Sequence, residues 1–392
     1  MELIPTPAEA AFRDEVRTWL AENKPREARP FDGQTAAAFD KEWQRIQYEA
    51  GWAGIAWPRD YGGRGLSVIE QLIWHEEYAR ADAPYVGVCF PGLNLAGPTL
   101  IACGTAEQQE EHLPAILKGE KIWCQGFSEP GAGSDLASLR CAAVIDGDDL
   151  VINGSKIWTS HGQYADWQVL LVRTSNDGPK QAGITFVIVD MWTPGIEVRP
   201  IRSMVAPDHY PFCEVFYTDA RVPLANVVGR IDDGWRVAGA TLGFERGTAF
   251  IADQIHYSKV VEELIEEARR RPDPVNGGRM IDNGEIFAQL ATLRAELAAM
   301  RAMTYWTISH SGSGDPGPAS SLTKLFFAEA LKRIRKLAMD VLGIDRLELS
   351  AEDGWTWQYL RSFPATIAAG ASDIQRNIIA ERLLGMPKAG RK

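Results

Sequence analysis

Metal-binding and disulfide chemistry have little to work with in this chain. Five cysteines in 392 residues, Cys89, Cys103, Cys124, Cys141 and Cys213, include no C-x-x-C pair, which disfavours both a disulfide framework and a zinc site. They read as reduced core residues. The six histidines, His75, His112, His161, His209, His256 and His310, show no H-x-x-x-H spacing, and none is taken as a metal ligand. Positive charge is also short. With 41 Lys and Arg against 52 Asp and Glu, the formal net charge is -11, which argues against non-specific nucleic-acid binding because phosphate contacts need clustered cations. No uninterrupted apolar run occurs in the opening MELIPTPAEAAFRDEVRTWL, and acidic residues come early in it. Neither a membrane span nor a signal peptide is expected there, and the expected compartment is the cytoplasm.

What is present is ordinary composition for a packed enzyme, 45% hydrophobic and 24% charged. Up to about residue 120 the apolar spacing is helical, as in FRDEVRTWLAEN, FDKEWQRIQYEAGW and IEQLIWHEEYARA, with the turn chemistry of WPRDYGGRGLS between. From about 121 to 235 the period changes: LVINGSKIWTS, WQVLLVRTS, AGITFVIVDM and FCEVFYTDARV are rich in β-branched and aromatic residues. The helical period returns after DDGWRVAGATLGFERGTAF and runs to the end, with ARRRPDPVNGGRMIDNG at 268–284 read as a loop. The expected fold is therefore α+β and multidomain: an N-terminal helical domain at 1–120, a middle β-barrel or sandwich domain at 121–235 and a C-terminal helical bundle at 236–392.

Two segments carry chemistry. In WCQGFSEPGAGSDLASL, residues 123–139, consecutive small residues let backbone amides approach a ligand closely, and the Ser128 and Ser134 hydroxyls are available to polar atoms. Read by itself, a Gly-rich turn between strands is more often only a turn. In NGSKIWTSHGQYADW, Asn153 and Gly154 are expected to form a hairpin turn. Trp158 beside Ser160 suits either a core or a planar heterocycle with a hydrogen-bonding nitrogen.

Taken with WPRDYGGRGLS, HEEYARADAP, GPTLIACGTAEQQEEHLPAILKGEK, SSLTKLFFAEALKRIRKLAMDVLG and ASDIQRNIIAERLLG, these segments make the chain resemble the acyl-CoA dehydrogenase family over nearly its whole length. The resemblance implies the fold of that family, with a C-terminal four-helix bundle, and an FAD-dependent oxidoreductase that introduces an α,β double bond into an acyl-CoA thioester. It places Gln125, Phe127 and Ser128 near the isoalloxazine, Ser134 near the cofactor pyrophosphate or the substrate pantetheine, Trp158 against the flavin and Ser160 by N5, where a donor stabilises the electron-rich reduced ring. Ala371 and Asp373 fall at cofactor-binding positions, Asp373 towards the adenosine end. His161 stands where Asn is more usual.

The reaction needs a carboxylate across the substrate from the flavin, with its pKa raised toward neutrality by burial. Many family members carry it in the C-terminal loop, at the position of Ala369 in AAGAS, and it is missing here. A subgroup resembling the isovaleryl-CoA and long-chain enzymes carries it on the first helix of the C-terminal domain. LGFERG puts Glu245 at that place, with Arg246 beside it at the substrate, so Glu245 is the expected catalytic base. Read without the resemblance, the two are more readily a solvated pair at a helix start, where the dipole favours an acid. Asp373 and Glu381 are weaker candidates.

The chain departs from the family at two cofactor-contacting places. RRRPDPVNGGRMIDNG stands where Arg-x-x-Phe-Gly reaches a neighbouring subunit's cofactor, and VLGIDRLEL, with Gly343 and Asp345, stands where a Gln and paired glycines are expected. The expected assembly is a homotetramer with a modified contact or a heterotetramer with a paralogous subunit, and the expected electron acceptor is an electron-transfer flavoprotein. An acyl-CoA oxidase and a non-catalytic or half-site subunit are the alternatives. Trp43, Trp52, Trp235 and Trp306 are expected in the core more than in the pocket.

Overall fold

The computed structural model describes residues 5–31, 33–205, 210–245, 250–310, 317–343 and 354–388. Five helices open the chain: α1 (Pro7–Asn23), α2 (Gly33–Glu49), α3 (Val68–Arg80), α4 (Gly97–Cys103) and α5 (Ala106–Leu117). Three of them start alike. Thr6, Ser67 and Thr105 each accept from the amide three residues on, while the side chain of Glu9, Glu70 or Gln108 accepts in return from the capping residue's amide. Each such reciprocal cap satisfies two amides that a helix start leaves open. Trp43, Trp52 and Trp74 are buried with Val16 and Leu20 where α1, α2 and α3 meet. Trp52 and Trp74 stack with centroids 4.6 Å apart.

Seven strands follow: β1 (Trp123–Gly126), β2 (Ala142–Asp146), β3 (Asp149–Ser160), β4 (Trp167–Arg173), β5 (Ile184–Asp190), β6 (Ile196–Ile201) and β7 (Phe212–Pro223). They form one sheet ordered β1-β4-β2-β3-β7-β6, with β5 also paired to β4. β1 and β2 both run parallel to β4, at its Trp167–Leu170 stretch and at Arg173 respectively, while β5 runs antiparallel to it. β4 and β5 are buried on both faces. Leu170, Val172, Val187 and Val189 lie in one core, and Val169, Leu171, Phe186 and Ile188 lie in a second with Trp57, Leu113 and Ile116 of the helical region and Val237 beyond the sheet. Burial on both faces explains why WQVLLVR reads as a continuous apolar run and not as an alternating one.

The helical remainder comprises α6 (Gly234–Glu245), α7 (Phe250–Arg270), α8 (Gly284–His310), α9 (Ser320–Leu342), α10 (Trp355–Ser362) and α11 (Ser372–Ile378). Val261, Leu264, Leu290, Leu293, Leu297, Ile334 and Leu337 form the core of the bundle built by α7, α8 and α9. The first and last thirds are tied by charge as well as packing. Glu76 on α3 is wholly buried and accepts from Arg13 at 3.0 Å, from Arg301 Nε at 2.9 Å and from the Tyr305 hydroxyl at 2.7 Å.

Three sequence expectations need correction. Asn153 and Gly154 are not a hairpin turn: both lie inside β3 at a shift in its register against β7. The turn between β2 and β3 is at Asp146–Asp149, with Gly147 at φ +62°. Gly154 is needed because its φ is +144° and a Cβ there would come 2.7 Å from the Cys141 Cα, while Asn153 donates to Asp219 and accepts from its amide. The loop expected at 268–284 begins only after Arg270, and Asp273 gathers it by accepting from the Val275 and Asn276 amides and from the Asn276 and Asn283 side chains. Trp43 and Trp52 are core, but Trp306 on α8 is 50% exposed.

The His75 imidazole on α3 is pushed down to about 4 by desolvation. A folded pKa below the ordinary 6.5 means that the unfolded chain binds the proton first. Its stability contribution is complete above about 6.5 and is lost as pH falls through that value toward about 4. The urea midpoint is expected to decline across that window in the wild type and to decline less in His75→Gln. Equal slopes in the two proteins would remove His75 as the cause. Glu76, whose pKa is lowered by Tyr305 and Arg301 against the opposing effect of burial, acts only at lower pH.

Candidate active site

β1 carries Gln125 out of the sheet, and the chain continues through Phe127, which is buried against Phe186 with ring centroids 5.9 Å apart. It then folds into a tight turn in which Glu129 and Ala132 exchange both backbone hydrogen bonds at 3.0 Å. Two glycines of this turn, Gly131 and Gly133, have no positive φ and are exposed, and a methyl group at either would meet nothing of the chain within 4 Å. Neither backbone conformation nor internal crowding calls for glycine here, although glycine costs conformational entropy. Two bare glycines leave the backbone of this turn open to close approach from outside the fold. Ser134 follows, exposed on the same turn.

The second wall is β3. Strict alternation would put Lys156 and Trp158 on one face. Instead the register against β7 shifts between Lys156 and Thr159, and Trp158 takes φ +62°. This bulge leaves Lys156 and Thr159 wholly buried while Trp158 is 58% exposed, its ring edge-on to Phe212 at 5.9 Å. A bulky residue at positive φ is strained, and such residues gather at functional sites. His161, at φ +59°, occupies the left-handed region that Asn enters most readily and that His also adopts.

The two walls are joined. The Ile157 amide donates to the Ser128 carbonyl at 2.9 Å, and Lys156 Nζ donates to the Phe127 carbonyl at 3.1 Å and to Glu129 Oε1 at 2.8 Å. Glu129 also accepts from the Arg140 amide at 2.6 Å and the Cys141 amide at 2.8 Å. Arg173 completes the brace, donating from Nη2 to the Ala137 carbonyl at 2.6 Å and from Nη1 to the Ala182 carbonyl at 2.7 Å. The structure therefore brings Gln125, Phe127, Ser128, Ser134, Trp158 and Ser160 onto two braced neighbouring segments.

A flavin dinucleotide fits this donor set. An exposed indole offers a flat apolar wall, Gln125 Nε2 is buried with no partner among the described residues, and the bare glycine turn admits a close diphosphate or chain. The C-terminal candidates sit elsewhere. Ala371 caps α11, which packs on α9, and Asp373 in its first turn has a 91% exposed side chain paired with Arg376 at 2.9 Å. Ala369 (φ +53°) and Gly370 (φ +89°) precede it, both left-handed, with Gln375 Nε2 donating to the Gly370 carbonyl at 3.1 Å.

Glu245 is the last residue of α6; its side chain, and Arg246 altogether, lie outside the described residues, as does Asp345. Upstream on α6, Val237, Ala238 and Thr241 are buried, and the Thr241 hydroxyl shares a 2.9 Å hydrogen bond with that of Thr99 on α4. Gly239 and Gly243 lie on the other side, both exposed, and a methyl group added at either would meet nothing within 4 Å. The sequence reading missed two groups. Lys156 was not singled out, and only its phase against Ile152 hinted at burial. Asp253 on α7 is solvent-accessible yet closely surrounded by protein, and that desolvation pushes its carboxyl up to about 6 against the opposing charge of Lys324. Its signal was an acid within FIADQI.

Among the described residues no helix is long and apolar enough to cross a membrane, and no cluster of His, Cys, Asp and Glu could hold a metal ion. Models of the acyl-CoA dehydrogenase N-terminal, middle and C-terminal domains match residues 6–120, 124–220 and 232–384. Acyl-CoA dehydrogenase IpdE1 of Mycobacterium tuberculosis is 40% identical over 386 residues, spanning 96% of this chain and 97% of the relative. A chain of the ChsE4-ChsE5 complex from the same species superposes with a TM-score of 0.83 at 33% identity, covering 99% of this chain and 100% of that one. The Tcur3481-Tcur3483 steroid ACAD does so with a TM-score of 0.84 at 30% identity, covering 99% and 100%.

Proposed function

The chain belongs to the acyl-CoA dehydrogenase family, and from that premise we propose that Glu245 is its catalytic base and that the walls of β1 and β3 hold its FAD. The protein is an FAD-dependent oxidoreductase that introduces an α,β double bond into an acyl-CoA thioester. Bound FAD supplies the hydride acceptor. The remaining work falls to the chain: Glu245 takes the α-proton as the β-hydride leaves, so that the electron pair of the α C–H bond becomes the new double bond.

The observation that supports Glu245 is its register on α6. Position 245 lies one turn beyond Thr241, on the side of Val237 and Ala238, and away from the exposed Gly239 and Gly243. That register accords with Ala369, which offers only a methyl group where other members of the family carry their acid. In this reading Trp158 walls the ring, Gln125, Phe127, Ser128 and Ser160 line it, Ser134 serves the diphosphate or pantetheine, Arg246 helps hold the substrate, and Ala371 and Asp373 serve the adenosine end.

The acyl group is read as bulky, by likeness to the steroid ACAD, and the route as β-oxidation-type lipid breakdown in the cytoplasm with an electron-transfer flavoprotein as acceptor. The assembly is read as a tetramer, with a paralogous second subunit favoured over a homotetramer because Asp273 organises a different loop where the family reaches a neighbour's cofactor. Flavin per chain decides this point. Expressed alone, the protein is expected to carry well under one FAD per chain, rising on co-expression with the paralogous subunit. Full occupancy when expressed alone would reverse the assignment in favour of the homotetramer.

A further inference from the structure

Lys156 has no part in the chemistry described above, yet it is the most completely enclosed cation of the sheet, wholly buried two residues before an exposed tryptophan. Taking an ammonium out of water is costly unless it is paired and hydrogen-bonded. Lys156 meets that condition through Glu129 at 2.8 Å and the Phe127 carbonyl at 3.1 Å. Glu129 is held in turn by the Arg140 and Cys141 amides. An apolar side chain would fill the same volume without the desolvation cost, so packing alone does not explain a lysine here.

The geometry of the peptide unit supplies a reason. A trans peptide is planar, with its C=O and N–H pointing in opposite directions. Lys156 draws the Phe127 carbonyl inward, so the N–H of the same peptide, that of Ser128, is turned away from the buried ammonium, in the sense of the half-exposed face. The next carbonyl, that of Ser128, is fixed separately by the Ile157 amide. On the functional reading above, on which this inference rests, that face is the one the flavin meets. We propose that Lys156 is a positioning residue for the cofactor: by holding the Phe127 carbonyl it aims the Ser128 amide at the polar edge of the flavin, as a fixed donor where electron density rises on reduction. A preset donor of this kind stabilises charge without reorganisation. Glu129 neutralises the lysine, so what reaches the flavin is the oriented amide and not the full charge.

The test uses the full chain, with its partner subunit where that is needed for FAD uptake. Lys156→Met alone strands a buried Glu129 and is expected to lower the thermal midpoint. The double variant Glu129→Gln/Lys156→Met removes both charges and is expected to recover most of that midpoint. It is nevertheless expected to bind FAD about tenfold or more weakly, the worth of one well-placed hydrogen bond, and to shift the bound flavin's reduction potential to a more negative value. Glu129→Gln/Lys156→Gln, which restores a donor, is expected to regain part of both. A double variant with wild-type FAD affinity and wild-type potential overturns the proposal. A second measurement needs no variant: hydrogen exchange of the wild-type Ser128 amide is expected to slow on FAD binding, and an unchanged rate also overturns it. If the wild type takes up no FAD in any assembly, the functional reading itself fails. Uptake with unaffected variants sinks only the role of Lys156.

Discussion

Glu245→Gln is expected to keep FAD bound and to lose at least roughly 10³-fold in kcat, the scale of removing a general base together with its control of proton position. Glutamine keeps the length and hydrogen-bonding capacity of the side chain but has no lone pair basic enough to take the α-proton. Binding of the CoA thioester should change far less than turnover. Asp253→Asn is the control that gives the result its meaning, because Asp253, near the start of the next helix, is an acid whose pKa is raised, to about 6, by desolvation. Asp253→Asn is expected to stay within about tenfold of wild type, since a residue that takes no proton from the substrate does not carry the chemical step. If the two outcomes were exchanged, the base would be on α7 and not at the end of α6.

The largest stability effect is expected at Glu76. Glu76→Ala removes the acceptor shared by Arg13, Arg301 and Tyr305 from a wholly buried position. The cost is about 3 kcal/mol, near the lower end for breaking a buried pair, because Arg13 and Arg301 keep some access to water and can be rehydrated. The loss should appear as a lower denaturant midpoint and, since α3 and α8 come from opposite ends of the chain, as earlier proteolysis between the helical parts. Glu76→Gln keeps an acceptor and should lose less. A midpoint unmoved by Glu76→Ala would mean that the arginines find other partners, Glu77 being the nearest.

Much of this arrangement was legible in the sequence because it rests on local rules. Capping pairs such as Thr6 with Glu9 and Ser67 with Glu70 mark their helix starts in sequence, and the unbroken apolar run of WQVLLVR announces a strand covered on both faces. The glycine turn and Trp158 stood out in the sequence as candidate places of chemistry, because small residues and an indole beside hydroxyls are unusual companions. What stayed hidden depends on partners distant in sequence. Asn153 and Gly154 have the composition of a hairpin turn, but Cys141 and Asp219 hold them inside a strand. The burial of Lys156 depends on Glu129, twenty-seven residues earlier. Nothing in TYWTISH shows that Trp306 faces outward, since an indole fits either side of a helix equally well.

The irregularity in β3 also separates two kinds of inheritance. In an unbroken strand, any change that suits a ligand on one side must be reconciled with the packing pattern of its neighbours two residues away. The extra residue ahead of Thr159 frees Trp158 from that parity. A descendant of this protein can thus exchange the exposed indole for another ring, or for none, while the lysine two positions earlier goes on anchoring the scaffold. Deleting Ile157 would restore the parity, leaving Lys156 and Thr159 two apart on the buried face with the indole between them on the opposite one.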